Sequence, residues 1–397
     1  MGIWRGRNGL YFAAFFMDLC LGSMGFAVPL VALQLGAGSL ELGFVGAGAF
    51  IYPVTCVIGG PVSERLGRRA TCALGALTAS AACLSLTAVR TIPWLLALQC
   101  FTSFGQGLFW PPLQAWIAEQ RDPRPLAGSL GRFNVAWSVG LALGPLLAGQ
   151  LSPRGLWLPF WVAGIGYLGV LLTILLIAPG DRGAEHPDIQ PRTRREALSF
   201  LYIAWVCNFA SWFMSVAVKV LFPELAQALQ IPKPTLGLLI TAIGLGQVLA
   251  FWGLGRGRWW QYRLWPILAA QAVGMVGMVL LARGQATAVF ALGMLLAGGM
   301  TSMTYTASLF YSLRAPGRGR GLRTGLHEAN LGTGILLGPL TGGWAASATG
   351  DLRAPYLLAL AVIAATALAA IIGRAVWGHG RREERVARTG QRCMRGE

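Results

Sequence analysis

The sequence predicts an all-α membrane protein, built from twelve transmembrane helices arranged as two pseudo-symmetric six-helix bundles. Three observations support this prediction: the composition, the recurrence of long apolar runs and an internal repeat. Hydrophobic residues make up 55% of the 397 residues, charged residues make up only 12%, and the mean hydropathy is +0.58. A soluble domain carries about 25% charged residues, so this composition indicates an integral membrane protein.

Apolar runs long enough to cross the hydrocarbon core as helices, which takes about 20 residues, recur along the whole chain. In the first half we place them near 10–34, 42–63, 70–89, 93–117, 128–150 and 158–178. In the second half we place them near 198–222, 235–255, 264–282, 286–312, 322–347 and 355–377. These runs predict an N-terminal bundle over 1–178, a polar, proline-rich linker over 179–197, a C-terminal bundle over 198–377 and a basic tail over 378–397.

The two halves repeat one another at a constant offset of 194 residues, the separation of Pro29 and Pro223. Glycines and prolines fall into register at this offset: Gly59 with Gly253, Gly105 with Gly299, Gly131 with Gly325, Gly140 with Gly334, Gly144-Pro145 with Gly338-Pro339, and Gly149 with Gly343. A repeat of this length predicts a duplicated membrane fold with a solute site at the interface between the halves.

The basic residues that give the net charge of +17 are distributed unevenly among the connections between spans. Arginines gather in alternate connections: Arg5 and Arg7; Arg65, Arg68 and Arg69; Arg121, Arg124 and Arg132; Arg192, Arg194 and Arg195; Arg256, Arg258 and Arg263; Arg314, Arg318, Arg320 and Arg323; and the tail from Arg374 to Arg395. This positive-inside bias predicts that both termini are cytoplasmic. For the basic tail, this bias favours a topology signal or a membrane-lipid contact over a nucleic-acid arm. The composition is consistent with a bacterial inner membrane.

No catalytic or metal-binding set is discernible. The three histidines are scattered over the linker, one span and the tail, and six of the seven cysteines fall inside predicted spans without metal-ligand spacing. The sequence also has no recognisable phosphate loop or nucleotide-binding domain. We therefore expect no enzymatic activity and no cofactor, and any transport would draw its energy from ion or solute gradients.

Polar and aromatic residues recur at helical spacing in spans one, four, seven and ten. Because polar side chains are costly in lipid, these faces are expected to enclose a central pathway. The substrate-pathway candidates are Gln106, Trp110, Gln114, Asn208, Trp212, Ser215, Thr304, Tyr305 and Ser308, with Trp137 from span five. Ordinary hydrogen bonds between helices are the alternative interpretation. Spans six and twelve are almost wholly apolar and are expected to face lipid.

A charged motif, Gly60-Pro-Val-Ser-Glu-Arg-Leu-Gly-Arg-Arg69, follows the second span. It resembles the loop signature of the major facilitator superfamily, with Glu64 where that family usually has Asp. The resemblance implies that Glu64 contacts the start of span eleven and that Arg65 and Arg68 pair with Glu119. It implies a cytoplasmic gate formed by Gly60, Glu64, Arg65, Gly67, Arg68, Arg69 and Glu119. A cluster that only sets topology is the alternative.

The fifth span resembles the antiporter signature of the same superfamily, with Ala148 replacing a usual glycine. The motif residues in spans five and eleven are Gly140, Gly144, Pro145, Gly149, Gly334, Gly338, Pro339 and Gly342. Glycine permits close helix packing and proline bends a helix, so a tight contact between the halves is expected. Close packing without antiport is the alternative.

Proton coupling, if present, requires acids within the membrane, because the fourth span lacks the arginine that this family often carries there. Asp18 lies about 13 Å into the first span at about 1.5 Å per residue, and Glu328 lies one to two turns into span eleven. Both are candidate proton carriers; the alternatives are a carboxylate paired with a neighbouring helix for Asp18 and a helix-end acid for Glu328. Lys219 is expected either to contact substrate or to extend to the interface.

The resemblance implies a monomeric transporter working by alternating access, exporting a small, partly apolar solute in exchange for protons. An uncoupled or symport-type facilitator of sugars or metabolites is the first alternative. A non-transporting membrane receptor or assembly partner is the second.

Overall fold

The computed structural model describes residues 6–120, 126–177, 194–314 and 320–395, and their regular structure is helical. The helices of the first half are α1 (Arg7–Gln34), α2 (Ser39–Leu66), α3 (Arg68–Ser85), α4 (Ile92–Glu119), α5 (Leu126–Leu151) and α6 (Leu158–Leu176). Those of the second half are α7 (Arg194–Ala228), α8 (Lys233–Leu254), α9 (Trp265–Arg283), α10 (Thr287–Arg314), α11 (Arg320–Thr349) and α12 (Ala354–Arg395). A short 3₁₀ turn over Gly48–Phe50 interrupts α2.

Each helix covers one predicted span, and the differences lie at the ends. Helix α7 begins at Arg194, so the last four residues of the predicted linker are helical, while 179–193 lie outside the described residues. Glu196 in the first turn of α7 suits a helix N-terminus, where negative charge is favoured. Helix α12 continues to Arg395 through much of the predicted tail, a stretch rich in the good helix formers Arg, Glu and Ala.

Burial separates the inner helices from those that face lipid. In their most apolar stretches, 67% of the residues of α1 and α7 are buried, against 44% in α6 and 28% in α12. The low burial of α6 and α12 is what the prediction that the sixth and twelfth spans face lipid requires. Nine of the described helical segments are long and apolar enough to cross a membrane by themselves, and α4, α5 and α11 fall below that threshold. Helices α5 and α11 are rich in glycine, and all three carry several polar residues, which suits helices that pack against other helices.

The 194-residue offset recurs in the packing of the two bundles. A Cβ added at Gly140 of α5 would overlap the carbonyl oxygen of Phe15 in α1. A Cβ added at Gly334 of α11 would lie 2.5 Å from the carbonyl oxygen of Phe209 in α7. Both members of the second pair stand 194 residues after those of the first, so the same helix crossing is built twice.

Two helix pairs, α5 with α8 and α2 with α11, join the bundles. A Cβ at Gly149 would lie 3.0 Å from the Cα of Gly237, and a Cβ at Gly343 would lie 2.9 Å from the Cα of Gly43. These crossings are again related by the 194-residue offset. The glycine motif is expected from the sequence to lie as a whole between the halves. Instead, four of the glycines pack inside their own bundles, where they let the helix backbones of the α1–α5 and α7–α11 crossings approach closely: Gly140, Gly144, Gly334 and Gly338.

Candidate functional site

A central cavity of about 190 Å³ lies where the two bundles meet. Its lining comes from α1, α2, α4 and α5 of the first bundle and from their repeat equivalents α7, α8, α10 and α11. The lining is mostly apolar, with two carboxylates, one lysine, two glutamines and several aromatic rings among it. Ligand sites in proteins commonly combine an apolar wall with a few placed polar groups.

The structure divides the predicted pathway residues into two groups. Gln106, Trp110, Trp212 and Tyr305 line the cavity, together with Trp137. The remainder are fully buried outside its lining: Gln114, Asn208, Ser215, Thr304 and Ser308. Several of these serve packing between helices, as in the donation from Thr304 Oγ1 to Ser211 Oγ at 2.8 Å. The helical spacing identified polar faces but did not distinguish a cavity from a helix contact.

Glu328 of α11 lies at the centre of a hydrogen-bonded cluster that crosses between the bundles. Tyr52 Oη donates to Glu328 Oε2 at 2.5 Å, and Gln114 Nε2 donates to Glu328 Oε1. Tyr305 Oη lies 3.5 Å from the same Oε1 atom and 3.0 Å from Gln114 Nε2. Because Tyr52 and Gln114 belong to the first bundle, the carboxylate of Glu328 links the two halves. Glu328 is 3% exposed, two turns inside α11, which is too deep for the helix-end acid considered above.

His327 extends this cluster away from the cavity. Its side chain is fully buried, with Nδ1 2.7 Å from Ser308 Oγ and Nε2 3.6 Å from Glu328 Oε1. Ser308 therefore contributes behind the cavity wall. Sequence reasoning missed Tyr52, and the available signal was a phenolic hydroxyl in an otherwise apolar stretch of the second span.

Asp18 of α1 and Lys219 of α7 both line the cavity, from opposite bundles. Their charges lie close enough to interact electrostatically, yet neither side chain has a hydrogen-bond or ion-pair partner among the described residues. Lys219 Nζ lies 6.0 Å from the centroid of the Trp212 ring. Lys219 therefore borders the cavity, because its helix face is turned toward the bundle centre. Within the described ranges Asp18 likewise lacks the neighbouring-helix partner considered above.

Aromatic rings form one wall of the cavity. The ring of Tyr305 lies 5.2 Å from that of Trp137 and 6.1 Å from that of Trp212, measured between centroids. Edge-on aromatic pairs at these separations are favourable and hold the rings in place. The wall contains groups from α5, α7 and α10, so it spans both bundles.

A charged cluster closes the bundle at the end where α6 ends and α7 begins, which we call the linker end. Glu64 Oε1 accepts a hydrogen bond of 2.9 Å from the backbone N–H of Gly321, in the first turn of α11. Arg68 Nη2 donates to Glu119 Oε1 at 2.8 Å and lies 3.8 Å from Glu64 Oε1. The cluster thus ties the ends of α2, α3 and α4 to the start of α11.

The other predicted gate residues hold different positions in this cluster. Arg69 donates to the carbonyl oxygen of Ile177 at the end of α6. Arg65 is exposed and does not reach Glu119, because it projects from the outer side of the last turn of α2. Gly67 has φ +91° between α2 and α3, a conformation that side chains disfavour. A Cβ at Gly60 would overlap the carbonyl oxygen of Gly321, so α2 and α11 touch here through their backbones.

Comparison with known sequences places these features in a family. The family model described as the Major Facilitator Superfamily matches residues 10–205. A probable actinorhodin transporter of Streptomyces coelicolor is 30% identical over 172 residues, which cover 43% of this chain and 28% of that protein. The quinolone resistance protein NorA of Staphylococcus aureus is 24% identical over 170 residues, 42% of this chain and 44% of NorA. The matches thus span less than half the length of these curated relatives.

The fold agrees with that of a solved transporter of the same architecture. The crystal structure of the human organic anion transporter MFSD10 superposes with a TM-score of 0.68 and 16% identity, covering 92% of this chain and 98% of that one. At this identity the likeness shows the fold alone. Together the family match, the relatives, the loop signature and the helical fold give one conclusion. The chain is a multi-pass integral membrane protein whose residues 10–205 match the major facilitator superfamily and whose helical fold agrees with that of a transporter of this type.

Proposed function

We propose that this protein is a secondary transporter that moves a small, partly apolar solute across the membrane by alternating access. The observation that carries the proposal is a central, mostly apolar cavity between two repeat-related bundles, lined by equivalent helices of both. A site at a pseudo-symmetric interface can be exposed to either side as the bundles rock against one another. The relatives named for quinolone resistance and for actinorhodin transport favour export of a ring-bearing compound.

We propose that the transport is exchange for protons, with Glu328 and Asp18 as the proton-binding groups. A charged Glu328 carboxylate accepts hydrogen bonds from Tyr52 and Gln114 of the other bundle. Hydrogen bonds to a charged group are stronger than those to a neutral one. Protonation of Glu328 would therefore weaken a link between the halves. Protonation of Asp18 would at the same time remove its charge from the cavity. Both changes favour release of a bound cationic group and rearrangement of the interface.

The cluster of Glu64, Arg68 and Glu119 would serve as the gate at the linker end. We propose that this end and both termini face the cytoplasm and that the membrane is a bacterial inner membrane; the positive-inside pattern supports the orientation. Closure there requires the backbone contact between Gly60 and Gly321 and the hydrogen bond from Gly321 to Glu64. Opening toward the cytoplasm would break both.

The test is a flux measurement in proteoliposomes with an imposed pH gradient. A quinolone and a panel of drugs and metabolites are first screened by thermal shift, because a true ligand stabilises the folded form. Solute flux and internal pH, reported by trapped pyranine, are then followed together. We expect the gradient to accelerate flux in the wild type and not in Asp18→Asn or Glu328→Gln. The matched controls are Asp351→Asn and Glu41→Gln, which make the same changes outside the cavity and the gate.

The outcomes separate the proposed function from its alternatives. Flux that ignores the pH gradient and survives both acid substitutions would replace exchange with uncoupled facilitation. A protein that is folded and monodisperse, yet moves no solute of the panel and shows no change of accessibility at either end, would support a receptor or assembly partner.

A further inference from the structure

Two opposite charges face the cavity without a hydrogen-bond or ion-pair partner in the part of the chain that the structure describes. Asp18 lies on α1 and is 4% exposed, and Lys219 lies on α7 and is half-buried. No ion pair within 4.0 Å and no hydrogen bond involves either side chain among those residues, although their charges interact across the cavity. The third charged group of the lining, Glu328, is instead satisfied by Tyr52 and Gln114.

Unpaired charges in such a place need an explanation. Ionised side chains in the interior of a membrane protein are costly unless they are paired, and they mark ligand or ion pathways. Asp18 and Lys219 belong to different bundles, and both lie on a lining that is otherwise mostly apolar and aromatic. A ligand that pairs with the charges of Asp18 and Lys219 at the same time would compensate both without closing the cavity.

The surface beside Lys219 is suited to an aromatic ring. The ring of Trp212 lies 6.0 Å from Lys219 Nζ, and the indole Nε1 of Trp212 has no hydrogen-bond partner among the described residues. Tyr305 and Trp137 continue the same wall. Flat apolar surface next to a lysine matches a ring that carries an anionic group.

We propose that the transported solute is a zwitterionic aromatic compound, whose ammonium group binds Asp18 and whose carboxylate binds Lys219 while its ring packs against Trp212 and Tyr305. This inference rests on the proposed transport function and names its substrate class. A purely cationic solute would pair with Asp18 and leave Lys219 unpaired in a desolvated site. A purely anionic solute would leave Asp18 unpaired. Only a solute with both charges leaves the occupied cavity fully paired.

The test compares compounds that share a ring and differ in charge. Binding to the purified full-length protein in nanodiscs is measured by calorimetry for L-tryptophan, tryptamine, indole-3-propionate and 3-methylindole. A phenyl series follows: L-phenylalanine, phenethylamine and 3-phenylpropionate. We expect the zwitterion of each series to bind about tenfold or more tightly than the singly charged compounds, since a charge-assisted hydrogen bond is worth about that factor.

Substitutions assign each charge to its partner. Lys219→Met should lower the affinity for tryptophan to the affinity for tryptamine. Asp18→Asn should lower it to the affinity for indole-3-propionate. Lys219→Arg should retain the preference for the zwitterion, which separates loss of charge from loss of folding. Lys233→Met and Asp351→Asn, at exposed positions, should leave the preference unchanged.

The proposal is overturned if a singly charged compound binds as tightly as the zwitterion, if Lys219→Met keeps the preference, or if no compound of either series binds. The proposed transport function is judged by a separate readout, the accessibility of introduced cysteines at the two ends of the bundle. Alternating accessibility together with failure of the zwitterion series would overturn the substrate class alone.

Discussion

The carboxylate of Glu64 accepts a hydrogen bond of 2.9 Å from the backbone N–H of Gly321, which joins the end of α2 to the first turn of α11. The first N–H groups of a helix have no partner within the helix, and the helix dipole favours a negative charge there. Glu64 therefore supplies both a hydrogen bond and a charge to a helix of the other bundle. Arg68 lies 3.8 Å from the same carboxylate oxygen and pairs with Glu119, so the contact is held in a charge network.

Breaking this contact should favour opening at the linker end. We expect Glu64→Gln to weaken the contact between Glu64 and Gly321. We expect Arg68→Ala to abolish transport while membrane insertion stays normal. The measurement is the distance between spin labels at the linker ends of α2 and α11, with flux in proteoliposomes. Arg65→Ala is the matched control, because Arg65 carries the same charge but contacts neither Glu64 nor Glu119. Equal distances and full activity in Arg68→Ala would exclude a gate at this site.

Gly67 should tolerate no bulky side chain. Its φ of +91° is strained for any residue with a Cβ, at a cost of about 1–3 kcal/mol. We expect Gly67→Leu to displace Arg68 from Glu119 and to abolish transport. Because nothing lies within 4 Å of a Cβ built there, a loss of activity would come from backbone strain and not from a clash. The readout is flux together with the melting temperature, and unchanged flux would contradict the prediction.

The backbone contact between α2 and α11 should be equally sensitive to added volume. A Cβ at Gly60 would overlap the carbonyl oxygen of Gly321, and backbone atoms cannot move aside cheaply. We expect Gly60→Ala to cost about 1–3 kcal/mol or to hold the linker end open. Gly299→Ala is the control, since a Cβ there meets nothing within 4 Å. Equal closure of the linker end and equal melting temperatures in the two variants would show that the glycine contact does not matter for closure.

Removing one hydroxyl should uncouple proton movement from solute movement. Tyr52→Phe deletes the donor to Glu328 Oε2 and leaves the ring in place. We expect a loss of pH-driven flux of about tenfold, the value of one hydrogen bond to a charged group, with solute binding retained. The exposed Tyr202 offers the control Tyr202→Phe. A parallel loss of binding would show instead that Tyr52 supports the cavity and not the coupling.

A cross-link at the end opposite the linker should block transport reversibly. Ser39 Oγ lies 2.8 Å and 2.7 Å from the two carboxylate oxygens of Glu224, which joins α2 to α7 across the bundles. In a variant without native cysteines, we expect Ser39→Cys with Glu224→Cys to react with a short bifunctional thiol reagent. Flux should then stop and recover on reduction. Either single cysteine variant is the control, and continued flux after complete cross-linking would contradict alternating access at this end.

The sequence by itself predicted twelve helical spans, the division into two halves and the contact of Glu64 with the start of α11. Hydropathy over about 20 residues reflects the thickness of the membrane, which acts on each helix separately. The pairing of Gly140 with Gly334 at a fixed offset reflects duplication and needs no coordinates. The position of Glu64 opposite the start of α11 followed from the family resemblance of a short, specific motif.

Only the tertiary structure decided which polar groups face the cavity. Ser215, Lys219 and Trp212 lie on the same helix at helical spacing, yet Ser215 is buried outside the lining and Lys219 lies on it. Arg65 and Arg68 belong to one motif and are both expected to pair with Glu119, but only Arg68 reaches it. The physical reason is the rotation of each helix about its axis, which its packing neighbours fix. Those neighbours lie on other helices, from 51 residues away for Arg68 and Glu119, and periodicity within one helix carries no information about them.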